Sequence, residues 1–287
     1  MPSLRDIKRR IRSVNSTKQI TKAMEMVSAA KLRKAQSRAE KARPYAVKME
    51  LILANLSRAA IQPDGEVLHP FFATRPVHRT TYVLVTADRG LCGSFNANLI
   101  RRASILMREQ GDAAELVCIG KRGWDWFRRR TVNVIAKHLD FGGNMDIARV
   151  KEITTELTQR FVNGETDAIY LIFAKFVSTA RSEVTVSRFL PIEAQAESAG
   201  PQSDYIFEPD PAAIFADLMP RYVATVMQSA LSESFASEHA ARMLAMGSAT
   251  KSAGDMIGSL TLQYNKARQS SITKELLDIV GGAEAIR

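Results

Sequence analysis

Residues 81–100, TYVLVTADRGLCGSFNANLI, decide the fold. The run 81–86 is rich in β-branched and aromatic residues and bounded by a turn-forming loop, so it predicts a strand. DRGLCG then breaks the pattern with two glycines, and helix-compatible sequence follows over 94–109. A strand feeding a helix through a tight loop is the start of a βαβ unit. Moving outward, 115–119 (ELVCI), 132–137 and 168–176 (AIYLIFAKF) read as further strands, with helical stretches at 121–130 and 146–162. Such alternation predicts a mostly parallel, Rossmann-like sheet domain. Residues 184–189 add an edge strand, and 193–211, with Gly200-Pro201 and several acids, read as an exposed loop.

The ends of the chain differ in kind. Of the protein's 287 residues, 1–60 carry a net charge of +11, 61–220 carry −2 and 221–287 carry +1. No glycine precedes Gly65, no proline follows Pro220, and 16 of the 20 aromatics lie in 61–220. Aromatics supply large buried areas, so the middle can build a core that the ends cannot. Residues 3–60 are Ala, Lys, Arg, Met, Leu, Glu and Gln in the main, all strong helix formers. Ser3 is an N-cap candidate, and Pro44 predicts a kink near Arg43. At ~1.5 Å per residue this helix runs about 85 Å, longer than a small domain is wide. Residues 211–280 read alike: Asp210-Pro211 as cap and first turn, Pro220 as a kink or true start, and Gly281-Gly282 as the stop.

Apolar residues on both ends step by threes and fours: Ile7, Ile11, Val14, then a slipped register at Ile20, Met24, Val27; and Ala253, Met256, Leu260, Tyr264, Ala267. The segment 240–253 is rich in Ala, Ser and Gly and permits close backbone approach. The prediction is a long antiparallel coiled coil of the two termini, so the chain divides into a 1–60 helix, a 61–210 α/β domain and a 211–287 helix.

A search for chemistry yields little. Gly90-x-x-Gly93 is no G-x-G-x-x-G, and GKRG at 120–123 is too short for a P-loop, so the 88–96 loop is read as a tight βα turn. Asp88 is either a catalytic carboxylate or a residue that holds this loop. Cys92 could be a reactive thiol beside a helix N-terminus, but with no neighbouring histidine a packed or simply exposed thiol is preferred. His69, His78, His138 and His239 are scattered without ligand spacing, and two cysteines 26 residues apart make neither a disulfide framework nor a zinc set. No catalytic residues, cofactor or metal are therefore assigned. No signal peptide and no membrane span are expected. The strongest electrostatic feature is the one-signed charge of the first helix. Lys31, Arg33 and Lys34 in particular predict an acidic partner. A basic nucleic-acid-binding protein with a Rossmann-like body is the alternative, although its aromatic interleaving is missing: Tyr45 stands alone.

Several of these segments are familiar together. ITKAMEMVSAAKLRKAQ (20–36), DRGLCGSFN (88–96), ASEHAARMLAM (236–246) and YNKARQSSITKELLDIVGGA (264–283) resemble the γ subunit of F-type ATP synthases, in order and over the whole chain. The resemblance implies a rotor shaft. The coiled coil would stand within a hexamer of α and β subunits. The α/β domain would be a foot on the membrane ring of c subunits, beside the ε subunit, and no bond would be made on this chain. It also implies residues. Met24 matches a position near the acidic lever loops of β; Arg268, Gln269, Thr273 and Glu275 match a polar cluster that contacts β; Tyr205 and Glu208 match the part facing the c ring. Ser94-Phe95 departs from the commoner Gly-Leu. The extra cysteine pair of the chloroplast form and a transit peptide are missing, which implies a bacterial complex, peripheral on the cytoplasmic face of the plasma membrane. No nucleic acid and no small-molecule substrate are implied.

Overall fold

The structure, a computed structural model, describes residues 3–59, 69–192 and 211–284. The proposed boundaries near 60 and 210, the 193–210 loop and the Asp210 cap lie outside the described residues. The chain packs as two compact units: Met1–Ser28 with Arg242–Arg287, and Ala29–Ala241. Each long helix contributes to both.

In the larger unit, five strands form one sheet in the order β3-β2-β1-β4-β5. They are β1 (Thr80–Val85), β2 (Ala114–Ile119), β3 (Asn133–His138), β4 (Ala168–Ser178) and β5 (Arg181–Leu190). The first four pair in parallel, and β5 returns antiparallel to β4 as the edge read from the sequence. Every residue of β1 and β2 is buried, as expected of strands covered on both faces of a parallel sheet. Helices α2 (Phe95–Gln110) and α3 (Lys121–Phe127) cover one face. Phe95, Leu99, Ala103, Met107 and Phe127 pack there on Tyr82, Leu84, Leu116 and Cys118. Helix α4 (Ile147–Val162) and the early part of α5 (Pro211–Glu284) cover the other. There Val150, Ile153, Leu157 and Phe161, with Met219, Val223, Met227 and Leu231, meet Val83, Val85, Val117 and Leu171. Each such fully buried aliphatic side chain contributes about 1.5–3 kcal/mol. Asp146 caps α4 by accepting from the Ala148 and Arg149 amides, a cap whose loss costs about 1 kcal/mol.

The helices hold several surprises. Helix α1 (Leu4–Ala59) includes Pro44, and α5 runs through Pro220, so Pro220 is not the helix's true start. Helix α5 starts at Pro211, where the ring's missing N–H has no helical acceptor to lose. Gly281-Gly282 does not stop it either, for the helix continues to Glu284.

In the smaller unit the helices are antiparallel. A side chain on Gly247 would meet Glu25, one on Gly254 would meet Lys18, and Thr250 bonds Thr21. As one number rises, the other falls in step. The seam on α1 is Ile7, Val14, Thr21 and Ser28, at seven-residue intervals, with Ile11 between. No slip occurs at Ile20. Ile20 and Val27 are 60% and 56% exposed, and small polar residues, Thr21 and Ser28, hold the seam instead. On α5 Met246, Ala253, Leu260 and Ala267 repeat every seven residues, as do Thr250, Ile257 and Tyr264. Met256 faces outward, and Ile257 takes its expected place.

The Thr250 hydroxyl donates to Thr21 Oγ1 at 2.8 Å, and Thr21 Oγ1 donates to the Lys18 carbonyl at 3.1 Å. Removing one hydroxyl leaves the other partly desolvated, whereas removing both leaves a shape-matched apolar pair. Thr250→Val should therefore cost about 1 kcal/mol, and adding Thr21→Val should restore most of it. Thermal unfolding of the four chains measures this cycle. Additive losses would mean the pair does not interact.

Candidate functional site

In an open, mostly parallel sheet the place for a ligand is the crevice at the carboxyl ends of the strands, where the connections reverse. That crevice is closed by the chain itself. Asp88 follows β1. Its Oδ1 accepts from the Lys121 and Asp140 amides, both at 3.0 Å, and its Oδ2 accepts from the Gly142 amide at 2.7 Å. These amides belong to the segments after β2 and β3, Lys121 opening α3. One carboxylate thus ties three strand ends together, and its negative charge stands where a phosphate group would have to sit. The neighbouring loop is fastened as firmly. Asn96 Oδ1 accepts from the Ala87 amide at 2.9 Å, Asn96 Nδ2 donates to Cys92 Sγ at 3.1 Å, and Thr86 Oγ1 accepts from the Gly123 amide at 2.9 Å. Leu91 takes a left-handed φ of 61° in this turn. Of the two readings of Asp88, the geometry selects the loop-holding one.

The remaining candidates for chemistry are dispersed. Cys92 and Cys118 are both free and buried, and burial pushes the Cys118 thiol up to about 12, out of nucleophile range. His69 accepts from the Phe71 amide, His138 lies 3.2 Å from Glu156, and His239 meets the Gly143 carbonyl at 2.9 Å. Burial holds His69 and His138 below the ordinary histidine range, Glu156 opposing it at the latter. Among the described residues no three His, Cys, Asp or Glu gather as a metal set.

The surfaces available for partners lie on the helices. Arg268, Gln269, Thr273 and Glu275 are all exposed on α5. The antiparallel register sets Leu4, where α1 begins, across from residues 267–268. From Arg268 onward no described helix lies opposite α5. Its apolar residues there are bare: Ile272, Leu276, Leu277, Ile279 and Val280 are 50–68% exposed. Such a run of exposed aliphatics calls for a covering surface. Thr273 bonds back to the Gln269 carbonyl at 3.0 Å, and Ser271 reaches Glu275 at 3.4 Å. Arg268 and Gln269 face outward without a role in the seam. Met24 is half-buried in the smaller unit.

The basic triplet is not one patch. Arg33 and Lys34 are exposed, but Lys31 donates its ammonium to the Gly142 carbonyl at 3.2 Å. Lys31 therefore props the same loop that Asp88 holds. The sequence carried no sign of this, because the two residues are 111 positions apart. Tyr205 and Glu208 lie outside the described residues.

The family model described as ATP synthase matches residues 3–286. The ATP synthase gamma chains of Moorella thermoacetica and Pelotomaculum thermopropionicum are 46% and 45% identical over 287 residues, covering 100% of each chain. Among solved structures, a chain of the Euglena gracilis mitochondrial ATP synthase (OSCP/F1/c-ring) aligns with a TM-score of 0.68 at 19% identity, over 99% of this chain and 94% of that one. A chain of the Tetrahymena thermophila central stalk and c-ring gives 0.64 at 24% identity, over 80% and 99%. The structural likeness carries the fold and the sequence likeness carries the family: this chain belongs to the ATP synthase gamma chain family.

Proposed function

We propose that the chain is the central rotor shaft of an F-type ATP synthase. It couples ion-driven rotation of the membrane c ring to conformational change at the catalytic β subunits, and it carries no catalytic residue itself. The observation that carries this reading is the bare apolar end of α5. A helix that outruns its partner by several turns and exposes five large aliphatics is built to be enclosed by other chains. Membership of the gamma chain family says which chains: the α and β subunits around the helices, and the ε subunit and c ring at the sheet domain. A place on the cytoplasmic face of a bacterial plasma membrane agrees with the bacterial relatives. No described helix is long and apolar enough to cross a membrane.

The nucleic-acid reading falls with the family assignment, and part of its electrostatic support is internal, since Lys31 serves the chain's own loop. What remains of the acidic-partner proposal on α1 rests on Arg33 and Lys34. We assign Met24, Arg268, Gln269, Thr273 and Glu275 to contacts with β, and Tyr205 and Glu208 to the c ring.

The test replaces Arg268 and Gln269 together by alanine. Both are exposed and outside the seam, so the free chain should keep its unfolding midpoint. Hydrogen bonds to a charged group contribute about 1.5–3 kcal/mol each when desolvated. Loss of about 1.4 kcal/mol or more corresponds to at least a tenfold fall in coupled turnover. ATP hydrolysis and synthesis are measured in membrane vesicles, with subunit stoichiometry as the assembly check. Unchanged turnover in a fully assembled complex would remove both residues from the contact set.

A further inference from the structure

The outer face of α2 and α3 has an unusual charge. Residues 95–110 and 121–130 hold eight Lys and Arg against two acids, Glu109 and Asp125, although the whole of 61–220 is net negative. Asp125 is engaged by Arg128 at 3.4 Å. Arg101 and Arg122 stay exposed and flank a groove of about 540 Å³ between the two helices, with Ala97, Ile100 and Trp126 along it. Trp126 is 43% exposed, a large apolar group left open on a surface of like charges. Its orientation is fixed: the Arg130 guanidinium lies 3.5 Å from the ring centre and donates to the Trp126 carbonyl at 2.6 Å.

We propose that this groove docks an acidic polypeptide segment, which inserts one aliphatic or aromatic side chain beside Trp126 and sets carboxylates against Arg101 and Arg122. Charge complementarity selects the sign of the partner, and the groove's volume suits several side chains of a short segment. A nucleic acid would need open ring faces for stacking, and Arg130 covers one face of Trp126, the one ring among the described residues lining the groove. A lipid surface favours apolar groups that protrude, whereas Trp126 lines a depression. An indole anchor ringed by arginines is the composition of an interface centre.

The test uses the full chain with Ala97→p-benzoylphenylalanine, which places a photo-crosslinker in the groove and keeps Trp126. It is irradiated at low salt with a short synthetic peptide of Glu residues around a single Leu, with the same peptide carrying Lys for Glu, with poly-uridine RNA, and with vesicles of anionic phospholipid. Crosslinking at position 97 should favour the Glu peptide over each other probe by about tenfold, and Arg101→Glu with Arg122→Glu should abolish that preference. Arg101→Gln with Arg122→Gln should give an intermediate yield. The urea midpoints of these surface variants should equal the parent's, separating lost docking from lost folding. Equal yields for the two peptides, a preference for RNA or vesicles, or a yield indifferent to charge reversal would overturn the proposal. Because the assay needs no other subunit, its outcome is independent of whether the chain assembles as a shaft.

Discussion

Gly120→Ala should destabilise the sheet domain by about 4 kcal/mol or more, much of the 5–15 kcal/mol that holds a typical domain folded. Gly120 follows β2 with φ 94° and ψ 146°, a region that costs other residues about 1–3 kcal/mol. Space is the larger obstacle. A Cβ here would stand 2.0 Å from the Thr86 carbonyl oxygen, a backbone atom. Relief requires β1 and β2 to part at their carboxyl ends. That movement strains the Thr86 amide's bond to the Ile119 carbonyl and the Gly120 amide's bond to the His138 carbonyl, both 2.8 Å. Gly93→Ala is the control. It also has a positive φ, 57°, but nothing lies within 4 Å of its added Cβ, so only the conformational cost of about 1 kcal/mol applies. Urea unfolding of the three chains gives the comparison. Equal losses for the two variants would show that the close approach at Thr86 is not what limits position 120.

Asp88→Ala should cost about 3 kcal/mol. Three backbone amides lose a charged acceptor at once, and such bonds contribute about 1.5–3 kcal/mol each when buried, less where water can substitute. Two of the three are solvent-accessible and the Gly142 bond is partly buried, which sets the middle of the range. Asp88→Asn should recover part of this: its Oδ1 can keep the Lys121 and Asp140 bonds without the charge, while its NH₂ would face the Gly142 amide, itself a donor. Hydrogen exchange at Lys121, Asp140 and Gly142 reports the same event locally. Slow exchange at all three in the alanine variant would mean that Asp88 is not the clasp.

These two residues show what could and could not be read ahead. The DRGLCG loop was legible as a tight turn because its glycines fit no phosphate motif. What fills the crevice instead was not legible, because Asp88 bonds residues 33, 52 and 54 positions away. The parallel sheet was legible because strands alternate with helices along the middle of the chain, and the edge strand was legible at 184–189, but its antiparallel direction was not. The helix pair was legible from length and composition. Its seam was read in part wrongly: Ile20, Val27 and Met256 are apolar yet face outward, while Thr21, Ser28 and Thr250 hold the inner line. Apolar residues on the outside of a two-helix rod mimic a slipped register. Chemistry of the side chain alone cannot separate a residue facing the partner helix from one facing another protein. Pro220 as a true start and the Gly281-Gly282 pair as a stop misled for a related reason. Local punctuation costs roughly 1–3 kcal/mol, and the packing of a long helix outweighs it.

Rotation of this chain within an assembled complex tests the shaft reading most directly. Cys92 and Cys118 are 2% and 0% exposed, so an Asp112→Cys substitution on the surface of the sheet domain offers a thiol that can be labelled selectively. A bead attached there, with the α and β subunits fixed to glass and ATP supplied, should turn continuously in one direction and stop when ATP is removed. ATP hydrolysis proceeding at full rate while the bead only fluctuates about one angle would contradict the account.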